Sequence, residues 1–234
     1  EFFLSRRGKR GGELKEKQHM DKGTLLELLK TRRSIRKFKP DPIPEASVEA
    51  ILEAGRWAPS GDNAQSWRFI VVTDPEKIKI LGQLGGEGSG RRFKAEYVSG
   101  HMEKRLTTFK TEETRHRVYK RLVSGSVSAF VSDAPVVIAV CSRLDCWDPP
   151  FDISTASQNI LLMAHALGLG ACWLEAPTTD IRDETKVREL LKVPPQYTIF
   201  HVIAIGHPAE APGLRPRLKL NEIAFWNKWG NAKK

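Results

Sequence analysis

The chain has 234 residues, 40% of them hydrophobic and 28% charged, an ordinary balance for a folded globular protein and enough length for one large core. Its 38 Lys/Arg against 28 Asp/Glu give a net charge of +10, yet no zinc-finger spacing, aromatic RNA-binding signature or basic-zipper heptad goes with it, so a nucleic-acid-binding module is the weakest reading. No apolar run approaches the roughly 20 residues of a membrane span.

The basic charge is concentrated in two places. Residues 1–39 hold 13 Lys/Arg against 5 Asp/Glu, residues 85–130 hold 10 against 5, and residues 131–234 are balanced at 11 each. Residues 1–20 are polar and aperiodic, which predicts a flexible basic tail without the apolar stretch of a secretory signal. His19-Met20 reads as a junction, with the natural chain starting at Met20.

Thr24 to Leu29 predicts a helix. Directly after it, Thr31-Arg32-Arg33-Ser34-Ile35-Arg36-Lys37-Phe38 puts three arginines, a lysine and two hydroxyls into eight residues. Arginine presents a fixed fork of donors that matches phosphate or carboxylate, and a hydroxyl adds one more bond. The same residues also suit the basic end of a helix, where cations complement the dipole. On this segment alone both readings stand.

Pro40, Pro42 and Pro44 enforce an extended connector. A second helix starts at Pro44, with Glu45 in its first turn and a stripe of Val48, Ile51, Leu52 and Trp57. Ala58 to Asn63 is a loop signal. Trp67 to Thr73 reads as a strand, and Asp74-Pro75 opens a helix through Leu81. Gly85-Gly86-Glu87-Gly88-Ser89-Gly90 then predicts a flexible hinge. It is no dinucleotide loop, because it lacks the G-x-G-x-x-G spacing and follows a helix, not a strand.

Residues 91–131 read as basic and largely helical. Val136 to Val140 is a buried strand. Pro149-Pro150 ends a loop, and Ile153, Ala156, Ile160, Leu161, Met163, Ala164 and Leu167 mark a strongly apolar helix stopped at Gly168. Ala171 to Leu174 is a short strand, Asp180 to Leu191 a helix and Thr198 to Ile205 another buried strand. A proline-rich arm runs through Arg215-Pro216-Arg217, and Ile223, Phe225, Trp226 and Trp229 predict a short aromatic helix at the end. Few short strands among many helices indicate an α+β fold, a central sheet wrapped by helices.

Cys141, Cys146 and Cys172 are odd in number and form no C-x-x-C, which points to reduced thiols and a cytoplasmic setting. The six histidines show no metal-ligand spacing, and His165 reads as a packed histidine on an apolar helix. No phosphate-binding P-loop, nucleophile elbow or paired carboxylate is present. Two other segments offer chemistry. Pro59-Ser60-Gly61-Asp62-Asn63-Ala64-Gln65-Ser66-Trp67 carries two amides and two hydroxyls, suited either to the edge of a heteroaromatic ring or to plain turn formation. Arg215 and Arg217 form a second basic pair, or a solvated tail.

Taken together, R-R-S-I-R at 32–36, A-P-S-x-x-N-x-Q-x-W at 58–67, a helix ending G-L-G-x-x-W at 168–173 and R-x-R-L at 215–218 resemble the nitroreductase family of flavoproteins over roughly residues 22–230. The resemblance implies a single domain over residues 21–234 with a mainly antiparallel central sheet. It also implies an interlocked homodimer with swapped arms and one FMN at each interface. Arg32, Arg33, Ser34 and Arg36 would hold the FMN phosphate and ribityl chain, joined by Arg215 and Arg217. Pro59, Ser60, Asn63 and Gln65 would reach FMN from the partner subunit. Trp173, Leu174, Glu175 and Ala176 would lie along the isoalloxazine, with a backbone N–H near its N5.

This sequence departs from the family in having Ser66 where many members have proline and Ala176 where many have glycine. Its block 85–131, the implied lid and substrate channel, is longer and more basic than in compact members. The implied activity is FMN-dependent oxidation of NADH or NADPH with ping-pong hydride transfer to a nitroaromatic, quinone or similar small acceptor. The flavin carries that chemistry, so no catalytic side chain and no metal is expected. Reductive dehalogenation and flavin fragmentation are the alternatives on the same fold.

Overall fold

The structure, a computed structural model, describes residues 22–232. The expected tail at 1–20 lies outside the described residues. The elements in chain order are α1 (Lys22–Thr31), α2 (Glu45–Arg56), β1 (Trp67–Val72), α3 (Pro75–Val98), α4 (His101–Leu106), α5 (Glu112–Val123) and α6 (Ser126–Ala129). They continue with β2 (Val136–Arg143), α7 (Pro149–Ala166), β3 (Gly170–Leu174), α8 (Ile181–Leu191), β4 (Tyr197–Gly206) and α9 (Leu220–Ile223). Among the described residues no helix is long and apolar enough to cross a membrane.

The strands form one sheet in the order β1-β2-β4-β3, and every neighbouring pair is antiparallel. The apolar runs predicted as buried strands become β2 and β4 at its centre. Their side chains alternate between two cores, as a period of two requires. Val137, Ala139, Cys141, Val202 and Ala204 face one core with Ile78, Leu81 and Val187 from α3 and α8. Val136, Ile138, Val140, Ile203 and Ile205 face the other with Ile51, Ile153, Ala156 and Ile160 from α2 and α7. The architecture is α+β, with helices on both faces of the sheet.

Segment 32–38 extends the sheet beyond β3. Ser34 bridges Ala171 in parallel, and the Ile35 N–H donates to the Ala171 carbonyl at 3.1 Å. Farther along, Phe38 bridges Pro208. A Cβ at position 170 would strike Ile35, so Gly170 is what lets this segment close on the strand. The opposite edge of the sheet is β1, which the chain enters from the loop at 58–66.

Two predictions change. The glycine run at 85–90 is not a hinge: α3 passes through it for 24 residues. Glycine costs a helix about 1 kcal/mol relative to alanine, but α3 lies too close to its neighbours for side chains. A Cβ on Gly82 would meet Ser132, and one on Gly88 would meet the Ala176 carbonyl oxygen. The aromatic helix does not form either. α9 ends at Ile223, and Phe225 and Trp229 pair in a loop with ring centroids 4.7 Å apart. Pro149-Pro150 ends its loop as expected and opens α7, because proline lacks only the N–H that a first turn leaves unused. The other end of α7 follows expectation: Gly168 takes φ +73° and donates its N–H to the His165 carbonyl at 3.0 Å. In α2 the stripe buries Ile51, while Trp57, just past the helix end, lies exposed and donates to Glu53 Oε1 at 2.6 Å.

Candidate functional site

Arg32 and Arg33 leave the end of α1 half-buried, where the backbone turns onto the β3 edge. The Arg33 guanidinium donates to the Gly213 carbonyl at 3.1 Å and to the Lys30 carbonyl at 2.7 Å, tying the C-terminal arm to this edge. Burial, followed by the charges of Arg33 and Arg217, pulls the Arg32 guanidinium below its usual pKa. His165, from the end of α7, lies 2.9 Å from the Thr31 hydroxyl through Nε2. Its pKa is lowered by burial and then by Arg32 and Arg33. Among the described residues none of Arg32, Arg33, Arg36, Arg215 and Arg217 forms a carboxylate ion pair. Guanidinium groups without an ion-pair partner suit an anionic ligand.

Ser34 lies within hydrogen-bond reach of the Cys172 thiol, which burial pushes up in pKa. The exposed Arg36 places its guanidinium 5.9 Å from the centre of the Phe130 ring, and its backbone N–H donates to Glu210 at 2.6 Å. Arg215 and Arg217 are exposed on the arm.

Trp173, Leu174, Glu175 and Ala176 continue along the same edge. Backbone groups of alternate residues face the same side of a strand. Because the Ala171 carbonyl faces segment 32–38, the backbone N–H and C=O of Trp173 also face away from β4. Among the described residues the buried Trp173 indole N–H finds no partner. Its ring lies 4.1 Å from that of His201, which is bonded to the Ser157 hydroxyl at 2.7 Å and driven down by burial to a pKa of about 3. A neutral imidazole therefore backs this segment. Beyond the strand the Glu175 carbonyl accepts from the Thr178 N–H at 2.8 Å and the Thr179 hydroxyl at 2.9 Å. The Ala176 carbonyl rests against Gly88 of α3.

Pro59, Ser60, Asn63 and Gln65 lie elsewhere. Their loop contains a short 3-10 turn, Gly61–Asn63, and places Asp62, Asn63 and Gln65 at φ of 50°, 54° and 47°. Left-handed conformations at non-glycine residues cost of order 1 kcal/mol each and persist only where neighbours enforce them. Asp152, in the first turn of α7 and 5% exposed, bonds to this loop on both sides of the three residues. Its Oδ1 accepts from the Gly61 N–H and its Oδ2 from the Ser66 hydroxyl, both at 3.1 Å. Thr155, one turn on, donates to the Pro59 carbonyl at 3.0 Å.

The two halves of the predicted site therefore sit at opposite ends of α7. Asp152 holds the amide loop and His165 contacts the arginine end, thirteen residues and about 20 Å of helix apart. Arg32, Arg33, Ser34, Arg217 and Trp173 to Ala176 share one edge of the chain, and Pro59, Ser60, Asn63 and Gln65 are not brought to them. Two concavities lie off the arginine edge. A groove of ≈ 480 Å³ runs between α2 and β1 past Gln65, and a cleft of ≈ 590 Å³ separates α3 from α5 and α6.

Sequence reasoning missed Asp152, although an aspartate interrupting an apolar helix stripe is a legible oddity. It also missed the His201–Ser157 pair, whose residues sit unremarked within apolar runs. Among the described residues no cluster of His, Cys, Asp or Glu could hold a metal ion.

An antiparallel four-stranded sheet with helices on both faces, and arginines along one strand edge, define an α+β protein with a basic edge. The sequence specifies the class further: the family model described as Nitroreductase family matches residues 29–207, and the chain belongs to the nitroreductase family. Among its relatives is a protein of Methanothermobacter thermautotrophicus named "Putative NADH dehydrogenase/NAD(P)H nitroreductase", 33% identical over 214 residues that cover 90% of each chain. An FMN-dependent nitroreductase of Clostridium difficile R20291 superposes with a TM-score of 0.66 at 27% identity, over 87% of this chain and 99% of that one. A nitroreductase with bound FMN from Bacteroides fragilis NCTC 9343 gives 0.63 at 26% identity, over 87% and 98%.

Proposed function

We propose that this chain is an FMN-dependent NAD(P)H oxidoreductase that reduces nitroaromatics, quinones or similar electron-poor small molecules, and that it works as a homodimer. The observation that carries this reading is the set of arginines that form no ion pair among the described residues, beside the outward-facing backbone of β3. A phosphate needs the first and a flavin edge suits the second. Arg32, Arg33, Arg36, Arg215, Arg217 and Ser34 would hold the phosphate and ribityl chain. Trp173 to Ala176 would flank the ring, with the Trp173 indole N–H as a further donor in need of an acceptor. When bound, FMN would supply the two-electron hydride chemistry between NADH or NADPH and the acceptor. The chain's own residues bind, orient and shield, and none is needed as an acid or base.

A second copy would complete the site. Pro59, Ser60, Asn63 and Gln65 lie too far along α7 to serve the arginines of their own chain. The apolar surface fits this arrangement. α1 buries none of its residues and leaves Leu25, Leu26 and Leu29 exposed. The arm exposes Leu214, Leu218, Leu220 and Ile223. A short helix with no buried face is marginal alone and is stabilised by a partner surface. Residues 85–131 would act as lid and substrate channel of the single domain, and the three free cysteines suit a reducing compartment such as the cytoplasm.

The direct test is to purify the protein and look for bound flavin. The expected result is a yellow protein that releases FMN on denaturation and is bleached anaerobically by NADH or NADPH. A colourless protein that takes up no FMN on reconstitution would sink the reading.

A further inference from the structure

We infer that Asp152 is a positioning residue for the cofactor: its buried carboxylate sets the pose of Asn63 and Gln65, the amides assigned above to the FMN of the opposite subunit. The inference rests on that reading and adds the group that makes the loop competent for it.

The geometry supports a clasp more than a packing role. The two carboxylate oxygens reach different ends of the loop, Gly61 at its start and Ser66 at its finish. Between those anchors lie the three left-handed residues, Asp62, Asn63 and Gln65. Asp152 forms no ion pair among the described residues, although its carboxylate is removed from water. A buried carboxylate needs donors, and both of the donors recorded for it come from the loop. Ser66 has 0% exposure, and its hydroxyl, held by Asp152, fixes the end of the loop next to the left-handed Gln65. Ser66 and Asp152 thus form one device. The Thr155–Pro59 bond and the Gln65 N–H to Ser60 Oγ bond at 3.0 Å tighten the same loop.

The test compares Asp152→Ala, Asp152→Asn and Ser66→Ala in the full chain. Three quantities are measured: the FMN dissociation constant by flavin fluorescence, amide hydrogen exchange of the peptides covering 59–66 and 153–166, and the melting temperature without FMN. Asp152→Ala is expected to weaken FMN binding about tenfold, the scale of two lost hydrogen bonds to a strained loop. Exchange in 59–66 should rise while 153–166 stays protected. Asp152→Asn keeps an acceptor for Gly61 and can still pair with the Ser66 hydroxyl, so it should stay within about threefold of the wild type. Ser66→Ala should fall between the two.

A purely structural role would lower the melting temperature and leave FMN affinity of the folded protein unchanged. That result, or Asp152→Asn behaving like Asp152→Ala, overturns the inference. If Asp152→Ala does not fold, Ser66→Ala decides: unchanged FMN affinity and unchanged exchange in 59–66 overturn it. A wild-type protein that binds no FMN overturns the functional reading and this inference together. A wild type that binds FMN beside an equally competent Asp152→Ala overturns only the inference.

Discussion

Arg32 is the residue on which the proposed site turns, because burial and two neighbouring guanidinium groups already strain its charge. A charge-assisted bond to phosphate is worth about 1.5–3 kcal/mol. Arg32→Ala with Arg217→Ala should therefore weaken FMN binding by about a hundredfold or more. Riboflavin, which lacks the phosphate, should lose little, so the ratio of the two affinities checks the assignment. His201 gives a pH test. Burial lowers its folded pKa to about 3 from an ordinary 6.5, so the unfolded chain binds a proton that the folded one refuses. Stability contributed by neutral His201 is present above the unfolded pKa and is lost as pH falls from about 6.5 toward 3. Melting curves across that range should fall less steeply for His201→Gln than for the wild type; identical slopes would contradict it. The arginines were legible in the sequence as a charge cluster, and only the other motifs turned that cluster into a proposed phosphate site. Asp152 and His201 were not, since a single polar residue in an apolar run shows its partners only when distant strands and loops meet it.

At the scale of elements, the strands and α7 were legible because their apolar runs match their burial. β2 and β4 are covered on both faces, and a doubly covered strand reads as a continuous apolar stretch. α3 was not legible. Local propensity counts glycine as a helix breaker, and only the tertiary neighbours show that glycine is what fits. Gly88→Ala should push the Ala176 carbonyl away and destabilise the fold by about 1–3 kcal/mol, read by denaturant unfolding. Gly213→Ala, with open space where its Cβ would go, should be close to neutral. Equal effects at the two positions would mean that α3 does not bear on the 173–176 turn. The aromatic tail failed as a helix prediction for a related reason. Phe225 and Trp229 satisfy helical spacing but pair with each other in a loop.

For the whole molecule, the sheet order and the length of α7 separate the amide loop from the arginine edge, so the proposed site calls for two copies of the chain. Four motifs in order were enough to suggest the family, because each is tied to a backbone feature: an edge segment, a tight loop, a helix end and an arm. How the halves meet is not legible in one chain, since spacing in sequence says nothing about a second copy. The most direct measurement is complementation. One variant carries Arg32→Ala with Arg217→Ala, the other Asn63→Ala with Gln65→Ala, and each alone should bind FMN poorly. Refolded together in equal amounts, about half the dimers should be mixed and each should hold one intact site, so roughly a quarter of all sites should regain tight FMN. A mixture that binds no more FMN than its parents would contradict a site shared between two copies.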